Sequence, residues 1–312
     1  MRIYYGWVIV AYGIAASCVG VGTVTSLSVF LQPVAAELGT SRAGISSVST
    51  LAFLSMGVGG FIWGALADRV GTRAVVLTGG IVLGLGLAAS SQASSLQQLQ
   101  LMFGVIVGLA SGSSFAPLTA LTSSWFSHRR SLAVALVSMG LGMGTITIAP
   151  LASALIEAYG WRAALMALSG LAFFVVVPGA LVLRQPPRDV SRQVEAIAPQ
   201  VDMRAGEALR TPQFVAIALT FFFCCAAHSG PILHMVSFAS LAGASALAAT
   251  GMLMVAGAGG LVGRIVMGLT ADRYGARQTL VVGLALQATT IALYAAISDL
   301  GGLYVLSVCF GI

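Results

Sequence analysis

Long apolar segments alternate with short polar ones along almost the whole chain. Most of the apolar segments reach the roughly 20 residues that a helix needs to cross the hydrocarbon core of a bilayer. A helix inside lipid satisfies its own backbone hydrogen bonds, whereas an open sheet does not. The pattern therefore predicts an all-α membrane protein.

The boundaries of the apolar segments predict nine helices and the start of a tenth. The predicted helices run approximately over Gly6–Gln32, Ile45–Ala67, Ala74–Ser91, 101–124, Leu132–Ile156, 163–183, Gln213–Leu241, Leu247–Leu269, Thr279–Ile297 and from Gly302 onward. We interpret Pro33–Ala43 and Glu157–Arg162 as outer loops. We expect Gly230 and Pro231 to interrupt the seventh helix, because proline breaks the hydrogen-bond ladder.

A polar segment divides the chain into two halves. We predict an N-terminal six-helix half over residues 1–184, a cytoplasmic linker over 185–211 and a C-terminal half over 212–312. The linker is rich in charges and proline, which is typical of a partly disordered segment or a surface helix. The chain ends inside an apolar run, so we expect it to lack most of helix 10 and all of helices 11 and 12. Such a chain could not close a central cavity.

Composition supports a membrane protein and excludes several other classes. Hydrophobic residues make up 58% of the chain and charged residues only 8%, with a mean hydropathy of +0.98. The net charge of +6 comes from 15 arginines without any lysine. Apart from Arg42 and Arg162 outside and Arg264 within an apolar segment, these arginines fall on one side of the predicted helices. That distribution follows the positive-inside rule and is unlike a nucleic-acid footprint.

The same rule predicts a multi-pass protein of the inner (plasma) membrane with a cytoplasmic N-terminus. The sequence contains no phosphate-binding loop, no metal-ligand spacing and no nucleophile with a plausible base. We therefore predict neither an enzyme nor a cofactor. The four cysteines lie in apolar segments and are interpreted as small buried side chains.

One turn occurs twice, as GALADRVGTR at Gly64–Arg73 and as GLTADRYGAR at Gly268–Arg277. Each copy follows the second helix of a half, and parallel six-helix repeats are one way in which transporters are built. The G-x-x-x-D-R-x-G-x-R pattern resembles the signature of the major facilitator superfamily. The resemblance implies two gating turns on the cytoplasmic side, comprising Gly64, Asp68, Arg69, Gly71 and Arg73 in the first copy and Gly268, Asp272, Arg273, Gly275 and Arg277 in the second.

Three further segments resemble the monocarboxylate transporter branch of this superfamily and its bacterial relatives, including oxalate/formate exchangers. They are YYGWVIV at Tyr4–Val10, WFSHRRSLAVAL at Trp125–Leu136 and G-R-x-x-x-G at Gly263–Gly268.

Arg264 is the one charged residue that the pattern places inside an apolar segment. It precedes Asp272 by eight residues, or about 12 Å along a helix. A cation at this depth costs at least about 2.5 kcal/mol, and no Asp or Glu falls inside a predicted helix. Because a guanidinium binds a carboxylate through two parallel hydrogen bonds, the missing counter-ion is plausibly the substrate. The alternative is that backbone carbonyls or residues of the missing helices cap Arg264.

The resemblance assigns Arg264 to the carboxylate of the substrate and adds further candidates. His234 matches a binding-site histidine of bacterial relatives, Phe115 matches a position that is often Tyr, and Leu141 lines the cavity of the family. Thr25 stands where animal members carry an important lysine, so we count it with the substrate-binding candidates. His228 is interpreted as a buried neutral histidine, although a histidine on this helix could also carry a proton.

We therefore predict a secondary transporter of a small, lactate- or pyruvate-like monocarboxylate, coupled to protons by symport and acting by alternating access. The alternatives are an anion exchanger of the oxalate/formate type, a major facilitator transporter of another organic solute, and a membrane sensor or scaffold that does not transport. The expected partners are a small organic anion, H⁺ and the lipid bilayer, with no nucleic acid and with a monomeric state.

Overall fold

The computed structural model describes residues 4–187, 205–241, 246–294, 296–297 and 299–312. The described backbone is helical apart from short turns and connections, and it contains no strand. The chain divides into two compact units, Met1–Val194 and Glu195–Ile312. The boundary between the units lies within the segment that the sequence predicts as a linker.

The described residues of unit 1, 4–187, form six helices, which we number α1 to α6. Their bounds are Tyr5–Thr25 and Leu27–Leu38 for the two segments of α1, Arg42–Val70 for α2, Thr72–Ser91 for α3, and Leu96–Trp125 for α4. Helix α4 includes a π-helical segment, Gln100–Val107, and a 3₁₀ turn, Gly112–Ser114. A further helical run, Arg130–Ala180, is divided at Gly160 into α5 (130–159) and α6 (161–180).

Unit 2 contains the helices α7 to α10. Their bounds are Pro212–Leu241, Ala246–Tyr274, Ala276–Tyr294 and Leu300–Gly311. Within the described residues, seven helical runs are long and apolar enough to cross a membrane, with Arg130–Ala180 counted as one run. Helix α10 begins at the cap residue Asp299, whose carboxylate accepts the Gly302 N–H at 2.7 Å.

The first predicted outer loop is wrong over most of its length. Helix α1 continues through Pro33 to Leu38, and α2 already begins at Arg42. The helix ends at Gly39, which has φ 61° and donates its N–H to the Ala35 carbonyl. A proline removes only one hydrogen bond from a helix, so the packed helix tolerates Pro33 while Gly39 sets its end.

Two other predicted interruptions are also wrong. The expected loop Glu157–Arg162 is helical except at Gly160, which has φ 83° and redirects the chain. Helix α7 runs through Gly230 and Pro231 without a break. Helix-breaking residues are tolerated in membrane helices because their surroundings can satisfy the freed backbone groups.

Glycines allow α1 and α5 to lie in direct backbone contact. A Cβ added at Gly144 would lie 2.5 Å from Gly22 Cα and 2.7 Å from the Cys18 carbonyl oxygen. A Cβ at Gly140 would lie 2.5 Å from the Ile14 carbonyl oxygen. Gly140 and Gly144 therefore permit the close contact of these two helices, as small residues commonly do in membrane helix pairs.

A polar cluster joins three helices at the end of unit 1 opposite the first signature turn. Arg162, near the start of α6, forms an ion pair with Glu37 at 2.9 Å. It also donates to the carbonyls of Ser91 and Ala93 at 2.9 and 2.8 Å, beyond the end of α3. Trp161 donates its ring N–H to the same carboxylate of α1. Because one guanidinium contacts both α1 and the α3 end, it links these helices to α6.

Candidate functional site

The two signature turns have matching backbones. Gly71, between α2 and α3, has φ 88°, and Gly275, between α8 and α9, has φ 97°. The Gly71 N–H donates to the Ala67 carbonyl at 2.9 Å, and the Gly275 N–H donates to the Ala271 carbonyl at 3.0 Å. A side chain with a Cβ is strained at such φ values. The repeated glycine therefore has the same backbone role in both copies.

The acidic residues of the two turns lie on the last turn of their helices. Asp68 is exposed at the end of α2, and Asp272 is half-buried at the end of α8. The remaining predicted gating residues lie on the same helix ends, with Gly64 and Arg69 on α2, Arg73 on α3, Gly268 and Arg273 on α8 and Arg277 on α9. The gating role concerns contacts between the two halves and stays a prediction.

Arg264 lies within α8 and is half-buried. No acid among the described residues forms an ion pair with it, and none of the hydrogen bonds between described residues involves its guanidinium. The desolvation cost of the cation is therefore not offset by a carboxylate of the described part of the chain.

A histidine and an aromatic ring accompany Arg264 in unit 2. His228 of α7 and the part of α8 that carries Arg264 both contact the end of α10. The imidazole is stacked on the ring of Phe310 in α10, with centroids 4.4 Å apart and an angle of 12° between the planes. A Cβ on Gly260, one turn before Arg264, would lie 3.2 Å from the Gly311 carbonyl oxygen. The small residue at this position thus permits α8 and α10 to approach each other.

The candidate His234 lies on α7, and its side chain falls outside the described residues. The structure therefore does not test whether His234 lies near Arg264. Sequence reasoning preferred a buried neutral role for His228 and left proton carriage open, and the fold stacks its imidazole on Phe310 of α10.

In unit 1, the candidate Thr25 lies at the seam between α1 and α5, and the candidate Leu141 lies on α5. Thr25 is the last residue of the first segment of α1, and its hydroxyl donates to the Gly22 carbonyl at 3.1 Å. Thr145, one turn after Leu141 on α5, lies with its hydroxyl 3.5 Å from that of Thr25. Leu141 is half-buried and Thr145 is exposed. Sequence reasoning did not identify Thr145.

The same seam contains a second polar pair, in which the Cys18 thiol lies 3.3 Å from the Thr147 hydroxyl. Phe115 lies at a break in α4, between the 3₁₀ turn and the segment Ala116–Trp125, and is half-buried. Unit 1 therefore offers neutral hydroxyl and thiol groups beside its candidates. Unit 2 offers a cation and an imidazole.

A family model and individual known proteins both match most of this chain. Residues 8–312 match the family model described as Major Facilitator Superfamily. Monocarboxylate transporter 13 of Rattus norvegicus is 30% identical over 313 residues, which cover 98% of this chain and 71% of the rat protein. Monocarboxylate transporter 11 of Mus musculus is 30% identical over 272 residues, which cover 86% of this chain and 60% of the mouse protein.

Among solved structures, the proton:xylose symporter XylE bound to 6-bromo-6-deoxy-D-glucose superimposes with a TM-score of 0.66. The match covers 100% of this chain and 80% of XylE at 13% sequence identity. At this identity, the similarity concerns the fold alone.

Proposed function

The chain belongs to the Major Facilitator Superfamily, in its monocarboxylate transporter branch, and from this premise we propose that it carries a small monocarboxylate together with a proton. Members of this superfamily are secondary transporters of small molecules, and this chain is a multi-pass membrane protein. The carboxylate, the proton coupling, the location in the inner (plasma) membrane and the cytoplasmic N-terminus are parts of our proposal.

The position of Arg264 carries the substrate assignment. A half-buried guanidinium in an apolar helix, without a described acid to pair with, favours an anionic ligand. A carboxylate matches its planar pair of donors through two parallel hydrogen bonds. The names of the rat and mouse relatives support the same class of substrate.

His228 supports the proposal of proton coupling. His228 and Arg264 lie on helices that both contact the end of α10, and a proton on His228 would add a second positive charge to this region. When a bound carboxylate neutralises Arg264, the repulsion between the two positive charges falls and a proton is accommodated more easily at His228. Binding of the anion and of the proton would therefore favour each other, which is the thermodynamic requirement for symport.

The test is uptake of labelled lactate, pyruvate, acetate and formate by the full-length protein in liposomes, at two pH gradients. We expect uptake that rises with an inward proton gradient and falls about 100-fold or more in Arg264→Gln, because truncation of one partner of a charged pair typically costs 2–5 kcal/mol. Arg264→Lys keeps the charge but loses the paired donors, and we expect an intermediate rate.

Arg210→Gln is the matched control, because Arg210 is an exposed arginine just before α7. Uptake that does not depend on pH but requires a counter-substrate would identify an anion exchanger instead. Uptake of other solutes that persists in Arg264→Gln would disprove the carboxylate assignment. Binding without flux would support a sensor or scaffold.

A further inference from the structure

A cavity of about 340 Å³ lies at the ends of three helices of unit 1, next to the first signature turn, and the proposed substrate site does not include it. Its walls come from the start of α3, the last part of α4 and the segment after α6. The lining residues are Gly71, Thr72, Arg73, Leu121, Leu183, Arg184 and Gln185. By the order of the helices, these ends lie on the side of the membrane that holds most arginines.

The walls of the cavity combine two cations with an apolar floor. Arg73 and Arg184 are exposed, whereas Leu121 and Leu183 are 4% and 2% exposed. None of the described residues that line the cavity is acidic. The cavity therefore attracts an anion, and its floor suits the apolar part of an amphiphile.

Two aromatic residues fix the segment that carries Arg184. The Tyr5 hydroxyl donates to the Val182 carbonyl at 2.6 Å, and the Trp125 ring N–H donates to the Arg184 carbonyl at 3.1 Å. The Arg184 guanidinium also lies 5.1 Å from the ring centre of Tyr5, within the range of a cation–π contact. Tyr5 lies in the YYGWVIV segment and Trp125 lies in the WFSHRRSLAVAL segment. The proposed transport mechanism assigns no role to either residue. The contacts of Tyr5 and Trp125 therefore position the Arg184 guanidinium at the cavity without the help of a ligand.

We propose that this cavity binds the phosphate group of an anionic phospholipid from the cytoplasmic leaflet, held between Arg73 and Arg184. Arginine binds phosphate through paired donors, and basic cavities at the cytoplasmic ends of membrane helices are suited to anionic headgroups. The start of α3 also directs backbone N–H groups toward this end of the helix. A lipid fits better than free phosphate because the cavity lies at helix ends that border the membrane and has an apolar floor. The choice of leaflet rests on the proposed orientation.

The test is native mass spectrometry of the full-length protein in detergent with equimolar dioleoyl-phosphatidylglycerol and dioleoyl-phosphatidylcholine. We expect preferential retention of phosphatidylglycerol, with each of Arg73→Gln and Arg184→Gln weakening its affinity about fivefold, since a basic residue near anionic lipid contributes about 1 kcal/mol. Tyr5→Phe removes the hydrogen bond to Val182 but keeps the ring, and we expect a smaller loss of affinity.

Arg129→Gln is the matched control, because Arg129 is exposed on the same side but does not line the cavity. Equal retention of both lipids, or an equal loss of affinity in Arg129→Gln, would overturn the proposal. Displacement of the lipid by millimolar inorganic phosphate would assign the site to a soluble anion and would overturn the lipid assignment. Circular dichroism of each variant separates loss of binding from loss of fold. Because the measured quantity is lipid binding, failure of this inference is distinguishable from failure of the transport proposal.

Discussion

The two units share a signature turn but place different chemistry beside their candidate residues. Gly71 and Gly275 have nearly the same φ and make the same backbone hydrogen bond. The α1–α5 seam of unit 1 presents the Thr25–Thr145 hydroxyl pair, whereas α8 of unit 2 carries Arg264. A repeated scaffold can thus hold a neutral surface in one copy and a charged site in the other. The difference teaches that the two copies can share the backbone of a turn while the side chains on their helices differ in charge.

The strongest test of the difference between the charged site of unit 2 and the neutral seam of unit 1 compares uptake by Arg264→Gln with uptake by Thr25→Val. We expect the first substitution to lower carboxylate uptake about 100-fold or more, because a charged partner is lost. We expect at most about a fivefold change from the second, because one neutral hydrogen bond contributes about 1 kcal/mol. Initial rates of uptake into liposomes measure both. An equal loss in the two variants would show that unit 1 contributes as much as unit 2.

Helix packing within unit 1 is compared with helix packing within unit 2 by substituting one contact glycine in each. Gly144 lies between α1 and α5, and Gly259 lies between α8 and α10. We expect Gly144→Ala and Gly259→Ala each to destabilise the protein by about 1–3 kcal/mol through overpacking. The added Cβ would lie 2.5 Å from Gly22 Cα in unit 1 and 2.7 Å from the Val308 carbonyl oxygen in unit 2. Thermal unfolding in detergent micelles measures the change.

Gly170→Ala is the control for both contact glycines. Nothing lies within 4 Å of a Cβ at Gly170. Alanine should leave the stability unchanged there or raise it by about 0.5–1 kcal/mol, because it restricts the unfolded chain. If Gly170→Ala lost as much stability as Gly144→Ala, close helix packing could not be the cause of the destabilisation at the contact glycines.

The equivalence of the two signature turns is tested by Gly71→Ala and Gly275→Ala. We expect each to cost about 1–2 kcal/mol, because both glycines have positive φ and neither would meet a neighbour within 4 Å. Gly64→Ala is the control, since Gly64 has the same open surroundings but lies inside a helix. Unfolding midpoints that fall for only one of the turn variants would contradict the shared role.

The smallest expected effect comes from adding a hydroxyl to unit 1. We expect Phe115→Tyr to lower the KM for a monocarboxylate by up to about fivefold, because a new hydrogen bond to the substrate contributes about 1 kcal/mol. Phe174→Tyr is the matched control, because Phe174 is 83% exposed. A concentration series of uptake measures both values. A lower KM in the control as well would exclude a specific contact at Phe115.

Local sequence signals predicted the elements better than their ends. The fold class and the family are confirmed, because the length of apolar segments and a repeated turn are properties of the chain itself. The sequence predicted loops at Pro33 and around Gly160 and an interruption at Pro231. The chain is helical at all these places except Gly160 itself. Their effect depends on whether neighbouring groups satisfy the freed backbone, and no local pattern contains that information.

By itself, the sequence determined that the chain forms membrane helices, that it repeats one turn in two halves, and that a single arginine lies inside an apolar helix. These conclusions follow from composition and spacing along the chain. Only the tertiary structure decided that His228 stacks on Phe310 of α10, a helix that also contacts α8, and that Tyr5 and Trp125 hold the segment of Arg184 beside Arg73. These contacts join residues far apart in the chain, and they exist only because helix packing brings particular faces of different helices together.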